Sequence, residues 1–254
     1  MSDKQIVDII MPNYNKGKYL RYSIQSIIQQ TFKKWRLIIL DNNSNDNSKS
    51  VLNEFVDNKN IEIIQLKRNK GAAFSRNLGL RFANSEYIAF LDSDDYWHKE
   101  KLEKQLNFMK SNNVDFSFTN YTPFLENNGE SIFKKEISPK LFYNYKKFIN
   151  DTSISTSSMI IKSKIISNIK FPNVKSLEDY IFKCRILKNG FIAKKFSFNG
   201  VFYRVTKNSL SSNRIGNFFL IYNLNKSFNK MNFFSNLKSI FFISIMSIKK
   251  YGLK

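Results

Sequence analysis

The chain has 254 residues, of which 42% are hydrophobic, 15% aromatic and 24% charged, so it can bury a substantial core and is not intrinsically disordered. Its formal net charge is +21, with most of the excess after residue 120, which predicts a polyanionic partner such as nucleic acid, an acidic membrane face or a phosphorylated substrate. The single cysteine, Cys184, excludes an intramolecular disulfide framework and a Cys-rich zinc module.

Between residues 5 and 120, short β-rich segments alternate with segments of helical period. The predicted strands are Ile6–Met11, Arg36–Leu40, Ile61–Leu66, Tyr87–Leu91 and Val114–Asn120. The predicted helices are Tyr19–Gln30, Ser48–Val56, Ala72–Ala83 and Lys101–Met109. This alternation is typical of βαβ units, so we expect an α/β, Rossmann-like layered fold with a mostly parallel central sheet. Ligands of such sheets bind at the carboxyl ends of the strands.

The second half of the chain gives fewer clear signals. Its predicted elements are a short helix at Leu141–Phe148, an extended segment at Ser153–Ile161, a helix at Glu178–Lys188 and β structure at Phe191–Arg204. Residues 215–254 differ in composition, since they contain six lysines and no acidic residue. We therefore expect one domain over residues 1–214, with halves 1–120 and 121–214, followed by a basic, aromatic-rich helical tail over residues 215–254.

The tail and the N-terminus bear on localisation. From Phe218 to Lys250, apolar residues recur at helical spacing among lysines, which predicts an amphipathic helix at the anionic inner face of a membrane. The alternative is a helix that packs on the domain or on a second subunit. The N-terminal residues lack a signal-peptide pattern, and the apolar segment Ile240–Ile248 is too short to span a bilayer. We expect a cytoplasmic protein, peripheral to the membrane.

Three carboxylates, Asp92, Asp94 and Asp95, follow the predicted strand that ends at Leu91. Like charges repel unless a cation or hydrogen-bond donors offset them, so this cluster predicts a hard divalent cation such as Mg²⁺ or Mn²⁺. Asp92 and Asp94 would share one face of an extended segment. The alternative is that Asp94 or Asp95 only caps the helix that follows.

Two other polar loops follow predicted strands. Asp41 begins a loop rich in Asn and Ser, where its carboxylate could accept hydrogen bonds from a base or a ribose; the alternative is a polar turn in which Asp46 caps the next helix. Gly71 opens a helix whose N-terminus favours anions, and Arg76 in that helix could pair with a phosphate. The sequence has neither a Gly-rich dinucleotide motif nor a P-loop.

In this order, the motifs resemble those of the family 2 glycosyltransferases of GT-A fold. The matching motifs are Pro12-x-Tyr14-Asn15, Asp41-x-x-Ser-x-Asp46, Gly71-x-Ala73-x-x-Arg76-Asn77-x-Gly79, Leu91-Asp92-x-Asp94-Asp95-x-Trp97 and Lys101-Leu102-x-x-Gln105. The resemblance covers about residues 5–120 strongly and 153–214 more loosely. It implies transfer of a sugar from a nucleotide donor, with a divalent cation and with inversion at the anomeric carbon.

The resemblance also implies where the donor binds. The implied donor-nucleotide residues are Pro12, Tyr14, Asp41, Arg76, Asp92 and Asp94. Asp94 and Asp95 would hold the metal ion, Mn²⁺ or Mg²⁺, which neutralises the diphosphate leaving group. Arg204 and Lys207 could bind the diphosphate. Asn42 and Thr206 depart from the family pattern, which commonly has Asp and often His there.

The base implied by the resemblance lies at the start of a late helix, where the family pattern Glu-Asp is met by Glu178 and Asp179. We assign Asp179 as the general base and Glu178 as its neighbour, which would orient it or the acceptor. The alternative is that both acids only complement the helix macrodipole in the first turn.

The resulting hypothesis is a glycosyltransferase that moves one sugar from a nucleotide-sugar, a UDP-sugar, to a saccharide or lipid-linked acceptor in cell-surface polysaccharide biosynthesis, such as lipopolysaccharide or capsule. A nucleotidyltransferase is disfavoured because no Gly-rich, Lys-containing triphosphate loop lies near the N-terminus. A non-enzymatic nucleic-acid-binding protein would suit the net charge, but acids at the strand ends would repel phosphates. A homo-oligomer is compatible with the sequence.

Overall fold

The computed structural model describes residues 5–127, 130–174, 176–206 and 214–251, with side chains throughout except at 214, 215 and 249–251. Its first half is a parallel sheet with connecting helices. The strands are β1 Val7–Asn13, β2 Trp35–Asp41, β3 Ile61–Gln65 and β4 Tyr87–Phe90, in the order β3-β2-β1-β4. The helices are α1 Gly17–Ile28, α2 Ser48–Asn53 and α3 Ala72–Phe82. The predicted α/β layered fold is confirmed.

The remaining strands extend the same sheet and run in both directions. These strands are β5 Tyr96–Trp97, β6 Phe116–Asn127, β7 Glu130–Phe133, β8 Phe142–Tyr143, β9 Ile160–Lys162 and β10 Ala193–Arg204. Beyond β4 the order is β9-β6-β10-β5, while β7 pairs with β6 and β8 with β10. Strand β9 is antiparallel to β4 and β6, whereas β6 and β10 are parallel. The predicted parallel pairing therefore holds for β1 to β4 and for β6 with β10, whereas β5, β7, β8 and β9 pair antiparallel with their neighbours.

Helices cover both faces of the sheet. The remaining helices are α4 Lys101–Ser111, α5 Tyr145–Phe148, α6 Glu178–Lys188, α7 Arg214–Ser227 and α8 Phe233–Tyr251. Helices α1, α2 and α4 pack on one face, and α3, α6, α7 and α8 on the other. Ile9 of β1 belongs to the first core and Ile10 to the second, because successive side chains of a strand point to opposite faces.

Two segments differ from their predicted structure. Leu141–Phe148, predicted as a short helix, contains β8, which pairs with β10, before α5 begins at Tyr145. Ser153–Ile161, predicted as extended, contains a 3₁₀ turn at Thr156–Ser158 before β9. In this turn the Ser158 hydroxyl donates to the backbone oxygen of Ser155 at 2.7 Å, a local bond of the kind that competes with strand pairing.

The tail contains two helices rather than one, and they pack on α6 as a hairpin. Ile221 of α7 and Ile243 of α8 are buried in the core on that face. The hydroxyl of Tyr180 in α6 donates to Asn225 Oδ1 at 2.6 Å. No helix of the described residues is long and apolar enough to cross a membrane.

Helix α3 approaches the sheet closely because Gly79 has no side chain. A Cβ at this position would lie 2.6 Å from Ile10 Cγ2 and 3.2 Å from Leu40 Cδ2. Both neighbours are fully buried, so little space exists for them to move aside. The close approach holds Arg76, which lies about one turn earlier in α3, near the carboxyl ends of the strands.

Candidate active site

A cavity of about 640 Å³ lies at the carboxyl ends of β1 and β4, and we call it the donor cavity. The residues predicted for the nucleotide or the diphosphate that line it are Pro12, Tyr14, Arg76, Asp92, Asp94 and Arg204. Lys207 lies outside the described residues. The structure therefore brings together side chains from four separate motifs of the sequence.

Asp41 does not line the donor cavity. Its buried carboxylate accepts hydrogen bonds from Asn13 Nδ2 at 2.8 Å and from the Ser44 hydroxyl at 2.6 Å, both on Oδ1. Asn13 and Asn42 line the cavity in its place. The buried Oδ1 of Asn13 has no hydrogen-bond partner among the described residues, and a buried acceptor on a cavity wall is suited to an N–H group of a ligand. Asp41 thus acts on the cavity by holding the amide of Asn13.

The aspartates after β4 have different surroundings. Asp94 lines the donor cavity. Asp95 is buried, and its carboxylate accepts from the Ser157 hydroxyl at 2.6 Å and from the backbone N–H of Arg204 at 2.9 Å. Burial and the neighbouring carboxylates raise the pKa of Asp95 well above its usual value. Asp95 therefore anchors the loop to two other segments, while Asp94 is presented to the cavity.

The predicted divalent cation can be tested against these positions. Within the parts of the chain that the structure describes, no three His, Cys, Asp or Glu side chains are grouped to hold a metal ion. Mg²⁺ in phosphate sites, however, commonly takes one or two carboxylates and completes its shell with phosphate oxygens and water. Asp94 meets this requirement, and its Oδ2 already accepts from the ammonium of Lys16 at 2.7 Å. The site fits a cation shared between Asp94 and a bound diphosphate.

A buried arginine links the donor cavity to α6. Arg76 donates to Asp92 Oδ1 at 2.6 Å and pairs with Glu178. Burial acts to lower the pKa of Arg76, but the charges of Asp92 and Glu178 outweigh it and raise that pKa. Burial raises the pKa of Glu178, against the opposing effect of Arg76. Two of the guanidinium nitrogens are engaged by carboxylates, whereas the buried Nε has no partner among the described residues.

A second cavity, of about 350 Å³, adjoins the first, and we call it the acceptor cavity. Asp179 and Thr156 line it. The residues that line both cavities are Arg76, Asp92, Glu178 and Tyr203. The two cavities therefore meet at the ion-paired cluster, and the predicted base lies on the acceptor side of that junction.

Asp179 is held by two donors at one oxygen. Lys183 donates to its Oδ2 at 2.7 Å and Thr156 at 2.8 Å. Burial acts to raise the pKa of Asp179, but the ammonium of Lys183 outweighs it, so the pKa lies below its usual value. Lys183 is itself buried and also donates to the backbone oxygen of Ile154 at 2.8 Å. These bonds keep Asp179 ionised and fix its orientation.

The start of α6 is conformationally unusual. Leu177, immediately before Glu178, has φ 61° and ψ 26°, a left-handed conformation that a residue with a branched side chain rarely adopts. The turn allows Glu178 and Asp179 to lie in the first turn of the helix while pointing to different partners, Arg76 and Lys183. Strain of this kind is frequent at functional sites.

Several site residues are missed by the sequence reasoning. They are Asn13, Lys16 and Lys183. The spacing of Lys183 and Asp179, four positions apart in a helix, is a detectable signal because such residues are neighbours on a helix surface. Thr156 and Ser157 lie in a hydroxyl-rich run, Ser153–Ser158, which the family resemblance places beside the acceptor. Their contacts join positions more than twenty residues apart along the chain, so no local pattern marks their partners.

The chain is similar in sequence to known proteins. The sequence model described as glycosyl transferase family 2 matches residues 8–169. The chain is 34% identical over 213 residues to the putative teichuronic acid biosynthesis glycosyltransferase TuaG of Bacillus subtilis, and the match covers 83% of each chain. It is 36% identical over 220 residues to the UDP-Glc:alpha-D-GlcNAc-diphosphoundecaprenol beta-1,3-glucosyltransferase WfgD of Escherichia coli, covering 84% of this chain and 82% of the relative.

A solved structure has the same fold. The crystal structure of S. aureus TarS 1-349 in complex with UDP-GlcNAc superimposes with a TM-score of 0.71 at 19% identity, over 96% of this chain and 73% of that one. At this identity the likeness concerns the fold alone.

Proposed function

The chain belongs to glycosyltransferase family 2, and we propose that this glycosyltransferase moves one sugar from a UDP-sugar to a hydroxyl of a lipid-linked saccharide. The main support for the proposal is that the donor cavity and the acceptor cavity meet and share lining residues. Arg76, Asp92 and Glu178 line both of them, and Asp179 lies on the far side of this junction from Asp94. A donor in one cavity and an acceptor in the other would meet beside these carboxylates.

The donor cavity supports a nucleoside diphosphate sugar. Tyr14 and Asn13 would contact the base, with the unpartnered Oδ1 of Asn13 accepting an N–H of uracil. Arg204 lines the same cavity, and its Nε donates to the backbone oxygen of Asp94 at 3.0 Å, which would place its charge near the diphosphate. WfgD is named for UDP-Glc, and the TarS crystal contains UDP-GlcNAc, so a UDP-sugar is the donor that we propose.

A divalent cation, Mn²⁺ or Mg²⁺, would be held by Asp94 and the donor diphosphate and would offset the negative charge of the leaving group. Lys16 would give up its pair with Asp94 when the ion binds and could turn to a phosphate oxygen. Asp95 would keep the loop in place through Ser157 and the backbone of Arg204. Our proposal therefore assigns the metal to Asp94 and an anchoring role to Asp95.

The proposed reaction is a direct displacement with inversion. The acceptor hydroxyl transfers its proton to Asp179 and forms a bond to the anomeric carbon from the acceptor cavity. The bond between that carbon and the diphosphate oxygen breaks on the opposite side, and UDP leaves with the electron pair. Since Lys183 and Thr156 both bind Oδ2 of Asp179, we assign proton acceptance to Oδ1. Glu178, held by Arg76, would orient the acceptor.

The proposed acceptor is a saccharide on a membrane lipid, in the assembly of a cell-surface polysaccharide at the cytoplasmic face of the membrane. WfgD is named for a diphosphoundecaprenol-linked acceptor, and TuaG for teichuronic acid biosynthesis. The chain spans more than four fifths of each relative, so the match includes the second half, which contributes most of the acceptor cavity.

Calorimetry tests the donor site. We expect UDP to bind in the presence of Mn²⁺ or Mg²⁺ and to bind much more weakly with a chelator, while GDP and CDP bind poorly. Asp94→Ala should abolish the metal dependence, whereas Asp57→Ala, at an exposed position after α2, should leave it unchanged. Tight binding of GDP or CDP in preference to UDP would overturn the donor assignment.

A transfer assay tests the reaction. Labelled UDP-Glc and UDP-GlcNAc would be incubated with the protein and a diphosphoundecaprenol-linked N-acetylglucosamine. We expect label in the lipid fraction and a β linkage in the product, as inversion of an α-linked donor requires. An α linkage would exclude direct displacement.

A further inference from the structure

Helix α8 exposes a row of large apolar side chains, while its inward side buries the polar residues Asn236 and Ser239 together with Ile243. One stripe of exposed apolar residues runs along α8, with spacings of three, four and seven residues: Phe234, Leu237, Phe241 and Ile248. We call this stripe the outer face. The side chain of Phe234 is 81% exposed and that of Phe241 62%. In a helix that only completes a domain, the apolar stripe would face the core. The outer face is instead exposed and can bind to another apolar environment.

The inward side of α8 is held by hydrogen bonds. Asn236 Nδ2 donates to the backbone oxygen of Tyr222 at 2.8 Å, and the Ser239 hydroxyl donates to the backbone oxygen of Ile149. Asn225 of α7 donates to Asn236 Oδ1 at 3.1 Å. These buried amides and hydroxyls fix the rotation of α8 about its axis, because turning it would leave buried polar groups unpaired. The outward position of the phenylalanines is thus imposed by the fold.

The charge around the outer face has a single sign. Residues 214–248 contain no Asp or Glu, and Lys226, Lys230 and Lys238 are exposed. Lysines beside exposed aromatic side chains are the composition of helices that lie in the headgroup region of anionic bilayers. A second copy of the hairpin would bring lysines together without carboxylates to pair them, which disfavours a symmetric dimer through this face.

The hairpin is also connected to the acceptor cavity. Asn217 of α7 lines that cavity together with Asp179. Tyr180, the residue after Asp179, donates to Asn225 of α7 at 2.6 Å. The hairpin that carries the outer face therefore also contributes a residue to the wall of the acceptor cavity.

We propose that the α7–α8 hairpin docks on an anionic lipid bilayer through the outer face, with Phe234 and Phe241 inserted among the acyl chains and Lys238 at the headgroups. This deepens the proposed function, since it names the surface that brings the acceptor cavity to a lipid-linked substrate. The docking itself needs neither donor nor acceptor.

Sedimentation with vesicles tests the proposal. We expect the protein to bind phosphatidylcholine vesicles that contain phosphatidylglycerol and to bind pure phosphatidylcholine vesicles weakly, with binding reduced by salt. The double variant Phe234→Ser, Phe241→Ser should bind at least about tenfold more weakly, and Lys238→Gln about fivefold. Matched controls are Tyr22→Ser on α1 and Lys59→Gln, both exposed at a distance from the hairpin in the sequence; neither should change vesicle binding.

UDP calorimetry on the same variants separates docking from the donor site. Unchanged UDP affinity with lost vesicle binding supports the docking proposal. Wild-type protein that binds UDP but no anionic vesicle would overturn it while leaving the proposed function intact. A dimer in light scattering that the double variant dissociates, with vesicle binding unaltered, would assign the outer face to a second copy and also overturn it.

Discussion

The ammonium of Lys183 lies 2.7 Å from the carboxylate of Asp179, one helical turn earlier in α6. The lysine is buried, and its other bonds run to Ile154 and Thr156 of the preceding segment. It therefore connects the first turn of α6 to one wall of the acceptor cavity. A carboxylate in this position is kept ionised and immobile, and in the proposed reaction its Oδ1 would accept the proton of the acceptor hydroxyl.

Lys183→Gln should shift the pH dependence of transfer. Because the ammonium holds the pKa of Asp179 below its usual value, its removal raises that pKa, and the acidic limb of the kcat/KM profile moves to higher pH. Loss of the exact orientation should also reduce kcat by up to about 10²-fold. Lys188→Gln on the same helix removes a hydrogen bond to the backbone oxygen of Asn229 but no carboxylate pair. It should leave the pH profile unmoved, and an equal shift in both variants would contradict the role of Lys183.

Asp179→Asn should retain UDP binding and lose transfer by about 10²–10⁴-fold, the usual magnitude of general-base catalysis. Asn keeps the shape of the side chain, and its oxygen can still accept from Lys183 or Thr156. The donor cavity is lined by other residues, so calorimetry with UDP should give the wild-type affinity. Turnover at the wild-type rate would remove Asp179 from the role of base and direct attention to Glu178.

Arg76→Gln should destabilise the protein as well as inactivate it. The substitution leaves Asp92 and Glu178 without their shared cation. Loss of one partner from a fully buried ion pair lowers the free energy of unfolding by about 3–5 kcal/mol, and we expect a smaller loss here because the side chain of Asp92 is 31% exposed. The loss should diminish in acid, because burial raises the pKa of Glu178 and protonation of that carboxyl removes one of the two charges left unpaired. Urea unfolding at neutral and acidic pH measures both effects. Arg81→Gln, at an exposed position of the same helix, should be nearly neutral, and an equal loss there would indicate a general effect of charge.

The sequence predicts the secondary-structure elements that carry the site better than it predicts the contacts between the site's side chains. The bounds of α6 and the positions of β1 to β4 follow from local periodicity, and Asp92 and Asp94 are found at a strand end as expected. The pair of Arg76 with Glu178 spans 102 positions of the chain, and the burial of Asp95 depends on Ser157 and Arg204. Such contacts arise only when distant segments pack, so the motif around Asp95 could not distinguish a metal ligand from an anchor.

The C-terminal tail shows a second limit of prediction from sequence, which concerns the orientation of a helix. Its periodicity predicts an amphipathic helix, and α8 is one, but periodicity does not state which side faces the domain. The choice depends on Asn236 and Ser239, whose partners Tyr222 and Ile149 lie on α7 and after α5. Since buried polar groups must be paired, these contacts determine the rotation of the helix. Only the three-dimensional structure reveals that its aromatic stripe points outward.

Asp94→Asn and Asp95→Asn should separate the metal ligand from the anchor. The amide introduced by Asp95→Asn could keep both bonds of the native carboxylate: its oxygen would accept from the backbone N–H of Arg204, and its nitrogen would donate to the Ser157 hydroxyl, which can act as donor or acceptor. Asp95→Asn should therefore retain metal-dependent UDP binding, whereas Asp95→Ala should weaken it because the loop loses its anchor.

Asp94→Asn replaces an anionic ligand by a neutral one and should lose the metal dependence without loss of stability. Calorimetry with and without Mn²⁺, paired with thermal unfolding, measures both quantities. Equal loss of the metal effect in Asp94→Asn and Asp95→Asn, with both proteins stable, would show that Asp95 also binds the ion.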